Sequence, residues 1–179
     1  MKQNALILFD IQNDYFPVGA MPLHEPELAV VKARTALDNF RAHSRPIIHI
    51  QHCNLRPDGG FMLPDTAGVE IHERVQPAPG EPVIIKHCPN AFWQTDLEAQ
   101  LKALGINQLV IAGMMSQMCV SATSRAAMER GFGVKVIADA CAAPGLSFFG
   151  EQIDATTVHK TALAELTLFA ELIKTSDLT

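Results

Sequence analysis

Leu6-Ile7-Leu8-Phe9-Asp10 is a run of four apolar residues closed by a carboxylate, and two later stretches repeat its form. Val83-Ile84-Ile85 ends in Lys86, and Leu109-Val110-Ile111-Ala112 leads through a glycine turn to Cys119. Runs this short and this uniformly apolar read as strands buried on both faces, the pattern of a parallel sheet. Taken as neighbouring strands, they bring a carboxylate, an ammonium and a thiol to one sheet edge, where open α/β folds place their ligand crevices.

Around these runs, strand and helix patterns alternate. Strands are expected near 4–10, 46–51, 82–86, 108–113, 133–138 and 169–173, with helices near 26–43, 95–104, 117–130 and 150–166. Such alternation builds β-α-β units and a three-layer α/β/α sandwich. Thr95-Asp96-Leu97-Glu98 has the form of a capping box, with Leu101 and Leu104 continuing one face and Gly105 ending the helix. The helix carrying Cys119 holds Ser121, Ala122, Ser124, Ala126 and Ala127, small enough to lie close against a sheet. About thirty residues between Gln51 and Pro82 break the rhythm, among them Arg56-Pro57-Asp58-Gly59-Gly60 and Pro77-Ala78-Pro79-Gly80. A loop of that length points to a pocket wall or lid.

At 179 residues and 19.5 kDa the chain suits one well-buried core, so a single domain over 1–179 is expected. Its 48% hydrophobic and 18% charged residues fit a compact protein, and no apolar stretch is long enough to span a bilayer. The apolar run after Met1-Lys2 stops at Asp10 without a small-residue cleavage site, which predicts a cytoplasmic protein. A net charge of -5 with no run of Lys or Arg argues against nucleic acid as a partner. Cys53, Cys88, Cys119 and Cys141 form no C-x-x-C pair and are expected as free thiols.

Most free cysteines are small buried hydrophobes, but Cys119 has a setting that suggests more. With Ser116 as N-cap, Cys119 falls in the first helical turn, where unpaired N–H groups favour a thiolate. Lys86 follows three apolar residues on what reads as a central strand, and an ammonium there needs an anion. Asp10, closing another apolar run, can carry a proton. Each residue also has a plainer reading: packing for Cys119, a solvated strand end for Lys86, a turn for Asp10. The conjunction points to a nucleophile, a cation and a proton carrier, the layout of a cysteine hydrolase.

Three segments carry a family resemblance: Ile7-Leu8-Phe9-Asp10-Ile11-Gln12-Asn13-Asp14-Tyr15, Ile85-Lys86-His87-Cys88-Pro89-Asn90-Ala91-Phe92 and Ile111-Ala112-Gly113-Met114-Met115-Ser116-Gln117-Met118-Cys119-Val120. In order and spacing they resemble the isochorismatase-like cysteine hydrolases, the superfamily of nicotinamidases and N-carbamoylsarcosine amidases. The resemblance implies a Rossmann-like six-stranded parallel sheet and an Asp10–Lys86–Cys119 triad. It also implies a cis Met114–Met115 peptide and an oxyanion hole from the backbone N–H groups of Met115 and Cys119. The implied substrate is a small molecule with an amide-like C–N bond, and no cofactor is expected. The alternatives are isochorismatase-type vinyl ether cleavage, which needs no thiol, and a catalytically silent member of the fold. A nucleotide-binding module is disfavoured because no glycine-rich turn follows the first strand.

Where nicotinamidases carry a metal-binding Asp-x-His, this chain reads Gln51-His52-Cys53-Asn54, so no metal is expected and His52 and His72 read as solvated or hydrogen-bonded loop histidines. Phe16, Phe92 and Trp93 are candidate pocket walls, and Gln117, beside the nucleophile, is a candidate specificity residue. His87 and Cys88 adjoin Lys86 but are expected to face away. Leu146-Ser147-Phe148-Phe149 is apolar for a loop and predicts a homo-oligomer that buries it.

Overall fold

The computed structural model describes residues 3–178 apart from Pro57, which falls within the long stretch before Pro82. The chain order is β1 (Asn4–Phe9), α1 (Pro26–Ala42), β2 (Ile47–His52), β3 (Val83–Lys86), α2 (Leu97–Ala103), β4 (Gln108–Met114), α3 (Ser121–Glu129), β5 (Gly133–Ala142), β6 (Leu146–Phe148), β7 (Glu151–Ile153), α4 (Ala155–Leu166) and β8 (Glu171–Ile173). Six strands form one parallel sheet in the order β3-β2-β1-β4-β5-β8, and β6 pairs antiparallel with β7. This is the Rossmann-like arrangement, whose order reverses between β1 and β4.

Alternation along the strands sorts the core into two layers. Leu6 and Leu8 of β1, with Val110 and Ala112 of β4, pack under Val30, Ala33 and Leu37 of α1. Ala5, Ile7 and Phe9, with Leu109 and Ile111, face Leu97 of α2, Ala127 of α3 and Leu166 of α4. Burying each large aliphatic side chain contributes about 1.5–3 kcal/mol, so the central strands hold the sheet rigid beneath the site.

Several local expectations give way. β3 is an edge strand rather than a central one, and β2 lies between it and β1. Its Ile85 is 55% exposed while Lys86 is 1% exposed, the reverse of their hydropathies. The capping box does not form: α2 starts at Leu97, Thr95 Oγ1 accepts from Leu97 N at 3.3 Å, and Glu98 turns outward to Lys102 at 2.7 Å. Residues 150–153 are not helical, because Gly150 turns the β6–β7 hairpin with φ +89° and Asp154 caps α4 by accepting from Thr157 N at 2.9 Å.

The long segment after β2 folds back over the C-terminal end of β1. Gln12 donates through Nε2 to Val69 O, and Asp14 accepts from Ala20 N at 3.0 Å and from Met62 N. Phe61 of this segment lies near His52 and Tyr15, so the stretch covers the same sheet edge as Asp10.

Gly113 sits where β4 passes closest to the end of β1. Its φ is +135°, and a Cβ there would fall 2.1 Å from Phe9 O. Gly113→Ala is expected to destabilise the chain by more than about 3 kcal/mol, since backbone strain and a clash with main chain add. Urea unfolding of the two proteins measures the difference.

Candidate active site

Asp10 leaves β1 in the left-handed region with φ 50°, a conformation Asp tolerates better than most residues, while its N–H stays tied to Ile50 O at 3.0 Å. Lys86 ends β3, and its long side chain crosses the width of β2 to reach Asp10. Lys86 Nζ lies 2.8 Å from Asp10 Oδ2 and 3.3 Å from Cys119 Sγ. Asp10 and Lys86 are closed off from solvent, and Cys119 is 4% exposed. The three predicted side chains thus meet at the reversal between β1 and β4.

Cys119 is not in a plain helical turn. Ser116–Val120 forms a π-turn ahead of α3, a device found mostly at functional sites. Met115 O accepts from Met118 N at 3.1 Å and from Val120 N at 3.2 Å, passing over the N–H of Cys119. Among the described residues, Met115 N–H meets no backbone carbonyl. The Met114–Met115 peptide is cis, as the resemblance implies. Ser116 is no N-cap: its hydroxyl lies 3.1 Å from Ala142 O and 2.8 Å from His159 Nδ1, tying the turn to β5 and α4.

The charge state also differs from the expectation. Burial, and next the Asp10 carboxylate, push the Cys119 thiol well above its ordinary range, against the pull of Lys86. Burial drags the Lys86 ammonium down, but Asp10 and Cys119 together outweigh it and hold the group protonated. Beside one ammonium the site tolerates one anion, so Asp10 and Cys119 compete for a single negative charge. At rest the thiol keeps its proton.

The predicted pocket residues scatter. Phe16 stacks on His72 with centroids 3.9 Å apart and lines a 420 Å³ cleft with Asp14 and Gly68. Gln117 lines a separate 350 Å³ cleft with Leu146 and Ile153, and its buried Oε1 has no partner among the described residues. None of the triad borders either cleft. Phe92 belongs to the core beneath, 5.9 Å from Phe132, and Trp93 is exposed. His87 is exposed and bonded to Cys53 O at 2.8 Å, and Cys88 is half-buried. Among the described residues, no three His, Cys, Asp or Glu side chains cluster as a metal site.

Two side chains at the site went unpredicted. Tyr15 is buried there, its hydroxyl pushed up in pKa by burial, then by Asp10 and Cys119. His52 is not in a loop but closes β2, paired in register with Lys86, and its Nδ1 lies 3.2 Å from Lys86 Nζ. The strand pairing was the signal for His52, and a sequence alone does not reveal register.

A doubly wound parallel sheet with a thiol, an ammonium and a carboxylate packed at its switch point defines a Rossmann-like α/β hydrolase. The chain belongs to the isochorismatase family, whose domain matches residues 4–177. It is 43% identical over 173 residues to the isochorismatase family protein YddQ of Bacillus subtilis (strain 168), covering 97% of this chain and 96% of that one. The crystal structure of an isochorismatase from Pseudomonas putida KT2440 superposes with a TM-score of 0.93 at 34% identity, covering 100% and 92% of the two chains. N-carbamoylsarcosine amidase from Thermoplasma acidophilum superposes with a TM-score of 0.84 at 25% identity, covering 99% and 98%.

Lys86→Met leaves the Asp10 carboxylate buried and unpaired, and is expected to cost about 3–5 kcal/mol. Asp10→Asn combined with Lys86→Met should recover most of that loss, because no isolated charge remains. Urea midpoints of the single and double variants check both expectations.

Proposed function

We propose that the chain hydrolyses an amide-like C–N bond of a small molecule through a covalent thioester on Cys119. One observation carries the reading: a single buried ammonium contacts both a carboxylate and a thiol, 2.8 Å and 3.3 Å away. A structural ion pair has no need of the sulfur, whereas a nucleophile that must lose a proton during attack needs an acceptor and a fixed cation beside it.

The steps follow from the shared charge. Sγ attacks the carbonyl carbon as the thiol proton passes to Asp10, so the anion moves from oxygen to the reacting atoms while Lys86 stays in place. The oxyanion is met by the N–H groups of Met115 and Cys119, contacts whose loss typically costs about 10²–10³ in rate. Collapse expels the amine, which takes the proton from Asp10. Asp10 then accepts a proton from water as the hydroxyl adds to the thioester, and returns it to the departing sulfur. The fold relationship to an amidase supports the C–N assignment. The exposed Leu146, Phe148 and Phe149 on the β6–β7 hairpin support a homo-oligomer that buries them.

Turnover of a panel of small amides by the native chain, with the thioester trapped as a mass increase on Cys119, is the expected result. Cys119→Ala should lower that turnover by at least about 10³-fold. Amide hydrolysis undiminished by this change would overturn the thioester route, and a native chain that turns over a vinyl ether but none of the amides, with Cys119→Ala sparing that activity, would favour vinyl ether cleavage. By light scattering the native chain should exceed the monomer mass, and Phe148→Ser with Phe149→Ser should reduce it.

A further inference from the structure

An ammonium has three N–H donors and no lone pair. Around Lys86 Nζ stand three acceptors: Asp10 Oδ2 at 2.8 Å, His52 Nδ1 at 3.2 Å and Cys119 Sγ at 3.3 Å. A ring nitrogen facing an ammonium at that distance has to offer its lone pair, so Nδ1 carries no proton and the neutral ring is protonated at Nε2. The placement of His52 is built into the sheet. Its Cα pairs with that of Lys86 across β2 and β3, so both side chains leave the same face. Gln12, wholly buried, grips the backbone on both sides: His52 N donates to Gln12 Oε1 at 2.8 Å, and Gln12 Nε2 donates to His52 O at 2.8 Å.

We infer that His52 is a positioning residue for Lys86: by accepting an ammonium N–H it holds Nζ between Asp10 and Cys119, and it does so only as a neutral ring. The inference rests on the triad reading for its catalytic meaning, though the contact itself does not. A protonated ring would turn a donor toward a donor and set two cations 3.2 Å apart. The groups facing the ring are Lys86 at the end of β3, His87 after it, Asp10 beyond β1 and the Phe61 ring 6.4 Å away. Burial first, then Lys86 and to a smaller extent His87, outweigh the opposing pull of Asp10 and lower the His52 pKa to about 4. Neutrality is therefore the ordinary state, and acid releases Lys86.

Two measurements test this on the full chain. Long-range ¹H–¹⁵N correlation spectra should show His52 with a bare Nδ1 and a protonated Nε2 from about pH 5 to 8. A proton on Nδ1, or a cationic ring in that range, overturns the inference. The second reads carbamidomethylation of Cys119 by iodoacetamide near neutral pH, quantified on its peptide by mass spectrometry. His52→Ala should slow labelling by about tenfold or more, the worth of a hydrogen bond to a charged group. His52→Asn, whose amide oxygen accepts an N–H, should stay within about threefold of the native rate. Native-rate labelling of the alanine variant, or equal slowing of both variants, overturns the positioning role. If Cys119 of the native chain resists labelling altogether, the nucleophile reading fails, and the ring tautomer alone then decides the His52–Lys86 contact.

Discussion

The ion pair between Asp10 and Lys86, sealed from solvent at 2.8 Å, is the constraint around which the site end of this molecule is arranged. Each charge alone would carry a desolvation penalty of several kcal/mol, and their attraction offsets it only with near-ideal placement. That placement draws on distant parts of the chain. Gly113 lets β4 run against Phe9, Asp10 takes a left-handed backbone, and β2 sets the distance that the lysine side chain spans. The sulfur then sits where one cation serves two potential anions.

That arrangement revises the usual picture of an activated cysteine. The start of a helix favours a thiolate, yet burial of Cys119, and next the carboxylate beside it, weigh more. The thiol is held toward its protonated form, so the thioester route we propose has it lose that proton during attack rather than before it. The π-turn contributes by widening the loop so that Met115 O bonds to Val120 rather than to Cys119.

Much of this is legible in the residues alone. Leu6 to Phe9 and Leu109 to Ala112 are apolar at every position, which only a strand covered on both faces explains, and the structure places them at the centre of the sheet. The conjunction of Asp10, Lys86 and Cys119 follows from a carboxylate and an ammonium that close two runs and a thiol reached by the turn after a third, and the three do meet. What stayed hidden were facts of pairing and exposure. Ile85 looks like core and lies outside, while Lys86 looks like surface and lies inside, because Lys86 turns inward to pair with Asp10 and strand alternation then sends Ile85 to water. Thr95 carries the right letters for a cap, but the helix begins only at Leu97 and Glu98 pairs with Lys102 instead of reaching back. His52 gains its meaning from register with a residue 34 positions away. The aromatic residues near the motifs were assigned by proximity in sequence, and Phe92 and Trp93 show how little that guarantees once the chain turns.

β3 has one more property. It is the outer border of the sheet, with Val83 and Ile85 turned to water. Such a border invites another chain to add a strand. Here it is four residues long and bracketed by Pro82 and Pro89, residues that cannot donate to a neighbouring strand. Recruitment of a foreign strand would tug on the same segment that carries the ammonium. With so few residues between the two prolines, that rim offers an incoming strand little to pair with, which disfavours aggregation there.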